Sequence, residues 1–174
     1  MLVLIRHGQV DVPAGVCYGR MDVAPVEAGF PKILRALGGV GAMTLWSSPA
    51  RRCAVVAAAI GGARGVAVRW DRRLLELDFG EWEGVAWDSL SRASLDRWAA
   101  WPAGFAAPGG ERGGAMMARV RCFYAGLRRR AGAQVVVSHG GPLRVLAALA
   151  RGEVPDLLVA APGLGSVQFF AEGG

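Results

Sequence analysis

LVLIRHGQV, residues 2–10, decides how the rest of the chain is read. Its apolar run, residues 2–5, is short and uninterrupted, and it ends at Arg6-His7-Gly8. A run of that length bounded by glycine reads as a strand buried on both faces. QVVVSHGG, residues 134–141, repeats the pattern: an apolar strand, then His139, then glycine. The chain has two histidines, and both stand at this junction. One histidine there would read as an ordinary hydrogen-bonded core residue, but two in one context point to a shared site.

The remaining elements follow from pattern and punctuation. A loop rich in Gly, Pro and Asp runs to about residue 29, and residues 30–37 read as a helix stopped by Gly38-Gly39. Residues 42–46 read as a strand. Ser47-Ser48-Pro49 then opens a helix over 50–60, with serine at the cap and proline in the first turn. A short strand is expected over 66–69, an amphipathic helix bearing tryptophans over 85–100, and a Pro/Gly-rich loop over 101–114. Helices follow over 115–130 and 142–151, with strands over 134–138 and 166–171. Strands alternating with helices predict an α/β fold with a mostly parallel sheet. Ligands of such sheets sit beyond the carboxyl ends of the strands, which is where both histidines fall. The whole chain, 1–174, reads as one domain, with residues 80–115 a small cap-like insertion.

Composition narrows the classes. With 53% hydrophobic and 20% charged residues, the chain is globular. Met1 leads directly into strand-like sequence, with no cleavable leader in view, and no apolar run is long enough for a membrane span. Cys17, Cys53 and Cys122 are odd in number and lack the paired spacing of a zinc site, so reduced thiols in a cytoplasm are expected. The net charge is +6, yet the arginines are scattered. Only Arg128-Arg129-Arg130 form a run, at what reads as a helix C-terminus, where cations are favoured. A nucleic-acid partner is therefore not expected.

Two histidines with few companions suit phosphate chemistry better than a metal, which usually takes three or more ligands. A neutral imidazole can attack phosphorus and hold the phosphoryl group covalently. That group needs fixed positive donors around its oxygens. Arg6 adjoins His7, Arg52 lies on the first turn after Ser47-Ser48-Pro49, and His139 supplies another donor. The amides at Gly140 and Gly141 open a helix, a natural anion site. LLELDFGEWEG, residues 74–84, gathers Glu76, Asp78, Glu81 and Glu83. One of these carboxyl groups could protonate a leaving alkoxide. The residues alone do not choose among them.

LIRHGQ, SSPARRC, ELDFGEWEG and VVSHGG, in that order over residues 2–141, resemble the histidine phosphatase superfamily, also called phosphoglycerate-mutase-like. The resemblance implies a three-layer α/β/α sandwich, His7 as phosphorylated nucleophile, and Arg6, Arg52 and His139 as the phosphate pocket. It further implies Glu76 as proton donor, with Glu81 next in line, and neither metal nor organic cofactor. VCYGRMDV, residues 16–23, and PGGE, residues 108–111, resemble more narrowly the α-ribazole phosphatases, which remove the 5′-phosphate of α-ribazole phosphate in cobalamin biosynthesis. On that resemblance Gln9, Tyr18, Arg20 and Gly140 are expected to bind substrate, a small phosphorylated metabolite, and a homodimer is allowed. The chain departs from the family at Val10 and Val56, where threonine is usual, and at Asp22-Val23-Ala24-Pro25, where Asp-x-x-Leu is usual.

Three alternatives stand beside this reading: a mutase, a sugar-phosphate phosphatase, and a non-catalytic phospho-ligand module. A mutase must shelter its phosphoenzyme from water, and about 33 residues follow Gly141, little for a lid. A second phosphate would need another cation, for which Arg20, Arg112 and Arg144 are candidates. The intact set of His7, Arg6, Arg52, His139 and Glu76 favours catalysis over mere binding.

Overall fold

Every residue of β4 (Ala133–Ser138) is buried, as is nearly all of β1 (Leu2–Arg6). The computed structural model, which describes residues 1–26 and 30–171, explains why. These strands lie inside a five-stranded sheet of order β3-β2-β4-β1-β5, with helices on both faces. β2 (Met43–Ser47), β3 (Val68–Trp70), β4 and β1 run parallel, while β5 (Val167–Phe170) pairs antiparallel with β1 at the edge. This is the expected α/β sandwich.

Successive side chains on a strand face opposite ways, and the core divides accordingly. Val3, Ile5, Val135 and Val137 pack with Ile33 of α1 (Phe30–Ala36), with Leu37 just beyond it, and with Val56 and Ile60 of α2 (Arg51–Arg64). Leu4 and Val136 pack on the other face with Val120 and Phe123 of α4 (Gly113–Leu127) and Leu143 and Leu146 of α5 (Gly140–Arg151). Full burial of each such side chain is worth roughly 1.5–3 kcal/mol.

Three local expectations need correction. Residue 50, not a serine, is the cap of α2, and Pro49 precedes its first turn. The Ser48 hydroxyl does accept from the Ala50 amide at 3.3 Å, so the serine serves the chain entry from outside the helix. α2 also runs past residue 60 to Arg64, because packing of Ile60 and Gly61 on the sheet outweighs the weak propensity of Gly61-Gly62. The segment 85–100 is not one helix. A 3-10 turn (Trp87–Ser89) is followed by extended Leu90, and α3 (Arg92–Ala100) starts at Ser91, whose side chain accepts from the Ser94 amide. The end of the loop expected before α1, residues 27–29, lies outside the described residues.

The segment between β3 and α4 packs its own small cluster. Trp82, Cys17 and Ala107 are buried among Phe79, Trp87, Leu95, Trp98 and Phe105. Trp87 and Trp98 stack at 5.8 Å and 17°. Among the described residues no helix is long and apolar enough to cross a membrane.

Candidate active site

The sheet register builds the site. Arg6 of β1 lies opposite Ser138 of β4, so the next residues, His7 and His139, leave the sheet side by side. The His7 amide donates to the Ser138 carbonyl at 3.0 Å. The two rings stand 5.2 Å apart between centroids, at 63°. β2 ends alongside, with Ser47 opposite Val137, and delivers Ser48 and then Arg52 on the first turn of α2.

His7 Nδ1 bonds the Gly8 carbonyl at 2.8 Å. A carbonyl only accepts, so the proton sits on Nδ1 and the lone pair is left on Nε2. Burial pushes the His7 pKa down to about 3; the Gly8 bond opposes this, and the charges of Arg52 and Arg6 reinforce it. The ring is therefore neutral at physiological pH, as a nucleophilic imidazole must be.

His139 is fully buried, and both ring nitrogens have partners. Arg52 Nε donates to Nδ1 at 3.2 Å, which makes Nε2 the protonated nitrogen, 2.8 Å from Ser48 Oγ. Burial, then the charges of Arg52, His7 and Arg6, hold its pKa well below the usual histidine range. The rest of the Arg52 guanidinium donates to the Met21 carbonyl at 2.9 Å and to the Gly19 carbonyl, and it lies 5.2 Å over the Tyr18 ring. Arg6 is less committed. Its Nη1 donates to the Pro162 carbonyl at 2.6 Å, while its buried Nε has no partner.

A cavity of about 280 Å³ opens beside these groups. Arg6, Tyr18, Glu76, Gly140, Gly141 and Arg144 form its polar lining; Leu77, Phe79, Trp87 and Trp98 are part of its apolar wall. His7, His139 and Arg52 are buried and do not line it. Both Glu76 oxygens lie 3.2 Å from the Gly141 amide, and Oε1 also accepts from its neighbour Leu77 at 3.0 Å. The helix N-terminus thus presents an amide to a carboxylate. Gly141 lets the carboxylate sit this close, because a Cβ there would lie 2.3 Å from Glu76 Oε1 and push the side chain aside.

The sequence-derived candidates divide into three groups. Arg6, Glu76, Gly140 and Tyr18 line the cavity, and His7, His139 and Arg52 cluster as buried neighbours. Gln9 is exposed and outside the lining. Arg20 is also outside it. Its guanidinium is taken up by the Glu76 carbonyl at 3.1 Å, Asp78 at 3.5 Å and Glu111 at 3.0 Å. Glu81 is exposed and away from the cavity, so Glu76 is the carboxyl group positioned for it.

Two cavity residues escaped prominence in the sequence. Arg144 is joined to the Leu157 carbonyl at 2.8 Å, but among the described residues its buried Nε has no partner and its guanidinium forms no ion pair. Burial lowers its pKa, with Glu76 opposing and Arg6 adding to the effect. Its one signal was the one-turn spacing after Gly140 and Gly141, which puts it on the same helix face. Cys17 lines the cavity too, but burial and then Glu83 push its thiol up to about 12, so it is no thiolate nucleophile near pH 7. Among the described residues no group of three or more His, Cys, Asp or Glu side chains is placed to hold a metal ion.

A parallel α/β sheet with two imidazoles, two guanidinium groups and a carboxylate gathered at its carboxyl edge defines a phosphoryl-handling enzyme of the α/β class. The chain belongs to the histidine phosphatase superfamily (branch 1), whose sequence profile matches residues 2–162, and it is a histidine-type phosphatase. It is 32% identical over 163 residues to a glucosyl-3-phosphoglycerate phosphatase of Mycobacterium tuberculosis, covering 84% of this chain and 73% of that protein. It is 29% identical over 154 residues to phosphoserine phosphatase 1 of Hydrogenobacter thermophilus, covering 83% and 73%. The solved structure of a mycobacterial glucosyl-3-phosphoglycerate phosphatase in complex with VO3 superimposes with a TM-score of 0.81 at 28% identity, over 95% of this chain and 90% of that one.

Proposed function

We propose that this phosphatase hydrolyses a small phosphate monoester through a phosphohistidine at His7 Nε2. The observation that carries the reading is the paired strand ends. They bring a neutral imidazole, its Nδ1 already engaged, to within 5.2 Å of a second ring held by Arg52. The Nε2 lone pair attacks phosphorus, the phosphorus–oxygen ester bond breaks, and its electron pair goes to the leaving oxygen. Glu76, as the carboxylic acid, gives that oxygen its proton. Water then attacks the phosphohistidine, the carboxylate of Glu76 accepts the water's proton, and the phosphorus–nitrogen bond returns its pair to Nε2. Arg6 and the amide at Gly140 face the transferring group from the cavity, while the Gly141 amide holds Glu76. Arg52 acts from behind and is held in place by His139. No metal or organic cofactor takes part.

For the ester itself, the two stretches that resemble α-ribazole phosphatases are joined to each other, Arg20 to Glu111 at 3.0 Å. Their joint occurrence therefore reports a brace in the fold more than a substrate. What supports α-ribazole 5′-phosphate is the wall of Phe79, Trp87 and Trp98, on which a flat base can stack. A second reading rests on Arg144, a cavity guanidinium without an ion pair among the described residues. It would suit an ester that also carries a carboxylate, as the substrates named for the two relatives do. The free thiols of Cys17, Cys53 and Cys122 support a reducing, cytoplasmic setting.

His7→Ala is expected to abolish hydrolysis of p-nitrophenyl phosphate and acid-labile labelling by a phosphoryl donor, with the circular dichroism spectrum unchanged. Full activity in this variant would overturn the reading. A panel of α-ribazole 5′-phosphate, phosphoserine and glucosyl-3-phosphoglycerate, ranked by kcat/KM in wild type and Arg144→Leu, separates the two substrate classes. Only carboxylate-bearing esters should suffer from the Arg144 change.

A further inference from the structure

Glu76 sits in a stretch that is neither helix nor strand, between the 3-10 turns Arg72–Leu74 and Gly80–Trp82. Regular backbone bonding does not fix its position, and a carboxyl group that must meet a leaving oxygen has to be held closely. Side chains do the holding. Arg119 of α4 donates Nη1 to the carbonyls of Arg73 at 2.7 Å and Leu75 at 2.6 Å, and Nη2 to the Glu76 carbonyl at 3.0 Å. Arg20 donates Nε to that same Glu76 carbonyl at 3.1 Å. Two guanidinium groups from distant parts of the chain therefore converge on one carbonyl oxygen.

One side chain joins both. Glu111 accepts from Arg119 Nε and Nη2, each at 2.8 Å, in the two-pronged geometry that makes arginine–carboxylate pairs specific. Its Oε2 also accepts from Arg20 Nη2 at 3.0 Å. The Glu111 amide donates to the Asp78 carbonyl at 2.9 Å, which ties its own loop to the acidic stretch. That loop approaches backbone to backbone. A Cβ on Gly110 would lie 2.6 Å from the Asp78 carbonyl, and one on Gly80 would lie 2.2 Å from the Pro108 carbonyl. Glu111, Arg20 and Arg119 lie outside the cavity lining, and their charged groups are turned to one another and to main-chain carbonyls.

We infer that Glu111 is a positioning residue for the proton donor: through Arg20 and Arg119 it fixes the main chain at Glu76 and so aims that carboxyl group into the cavity. The inference rests on Glu76 being the acid. Arg119 alone has two further carbonyl anchors, whereas Arg20 is partly exposed and depends on Glu111 and Asp78 for its place. Loss of the Glu111 charge therefore releases the Arg20 side first, and the carboxyl group of Glu76 gains freedom without leaving the site.

The test compares leaving groups. An alkyl phosphate needs its oxygen protonated, whereas p-nitrophenolate departs with little help. In Glu111→Gln and Glu111→Ala, kcat for the alkyl ester is expected to fall roughly tenfold further than kcat for p-nitrophenyl phosphate, with KM for both nearly constant, and Glu111→Asp should recover part of the difference. Glu76→Gln run in parallel should show the same selectivity more strongly. A merely structural brace would slow both esters equally and in step with the drop in Tm, and that result overturns the inference. Selectivity in Glu76→Gln but none in either Glu111 variant overturns it while sparing the acid. Equal slowing of both esters by Glu76→Gln removes the acid itself, and the inference with it.

Discussion

His7 and His139 are the residues on which pH acts most directly. Both are buried, and burial is the leading cause of their lowered pKa values. The sign follows. Below about 6.5 an unfolded histidine takes a proton, but folded His7 does not until about pH 3. The unfolded state therefore binds more protons across that window. Stability is at its full value above the window and is lost as pH falls through it. For His7 the slope is about 1.4 kcal/mol per pH unit, or roughly 2 kcal/mol between pH 6.5 and 5, and His139 acts in the same direction. Urea unfolding of wild type at pH 7.5 and pH 5 should show this loss, and His7→Gln should shrink it by roughly 2 kcal/mol. An unchanged difference in the variant would mean His7 titrates normally in the native protein. At the same scale the sequence was legible for the histidines, because a strand end followed by glycine has few other uses. It was silent on the partners of Arg20, which lie 56, 58 and 91 residues away, where no local pattern reaches.

At the level of elements, burial decided what could be read. β1 and β4 are covered on both faces, so each is an unbroken apolar run and was placed within a residue or so. α2 and the 85–100 stretch were misjudged for opposite reasons. Glycines that stop an isolated helix are carried through α2 by packing. A tryptophan periodicity that looks helical is produced instead by a turn, a break at Leu90 and a short helix. Two glycines test the difference between helix propensity and site geometry. Gly62, inside α2, has open space where a Cβ would go, so Gly62→Ala should stabilise by about 0.5–1 kcal/mol, measured as a raised unfolding midpoint. Gly141, at the start of α5, has Glu76 Oε1 2.3 Å from that point. Gly141→Ala should leave Tm nearly unchanged but cut kcat on alkyl esters by about 10–100-fold, because the carboxyl group must move. Wild-type turnover in Gly141→Ala would show that the amide–carboxylate contact is dispensable.

At the level of the molecule, the segment between β3 and α4 is docked by close backbone approach as much as by its tryptophans. Gly80 has φ +51 and faces the 108–110 loop. Gly80→Ala should cost about 1–3 kcal/mol and expose residues 85–107 to limited proteolysis before the sheet is cut. Uniform protection of that stretch would refute this account of the docking. The sheet order has a consequence of another kind. Among the described residues β1, which ends at Arg6 and leads into His7, pairs as a strand with β4 and β5 alone. Both are made more than a hundred residues later, so a chain emerging from a ribosome at about 5–20 residues per second holds β1 without these partners on the order of ten seconds. The strand that delivers the nucleophile is thus among the last to be secured, and a nascent chain short of residue 133 has neither neighbour against which to zip it.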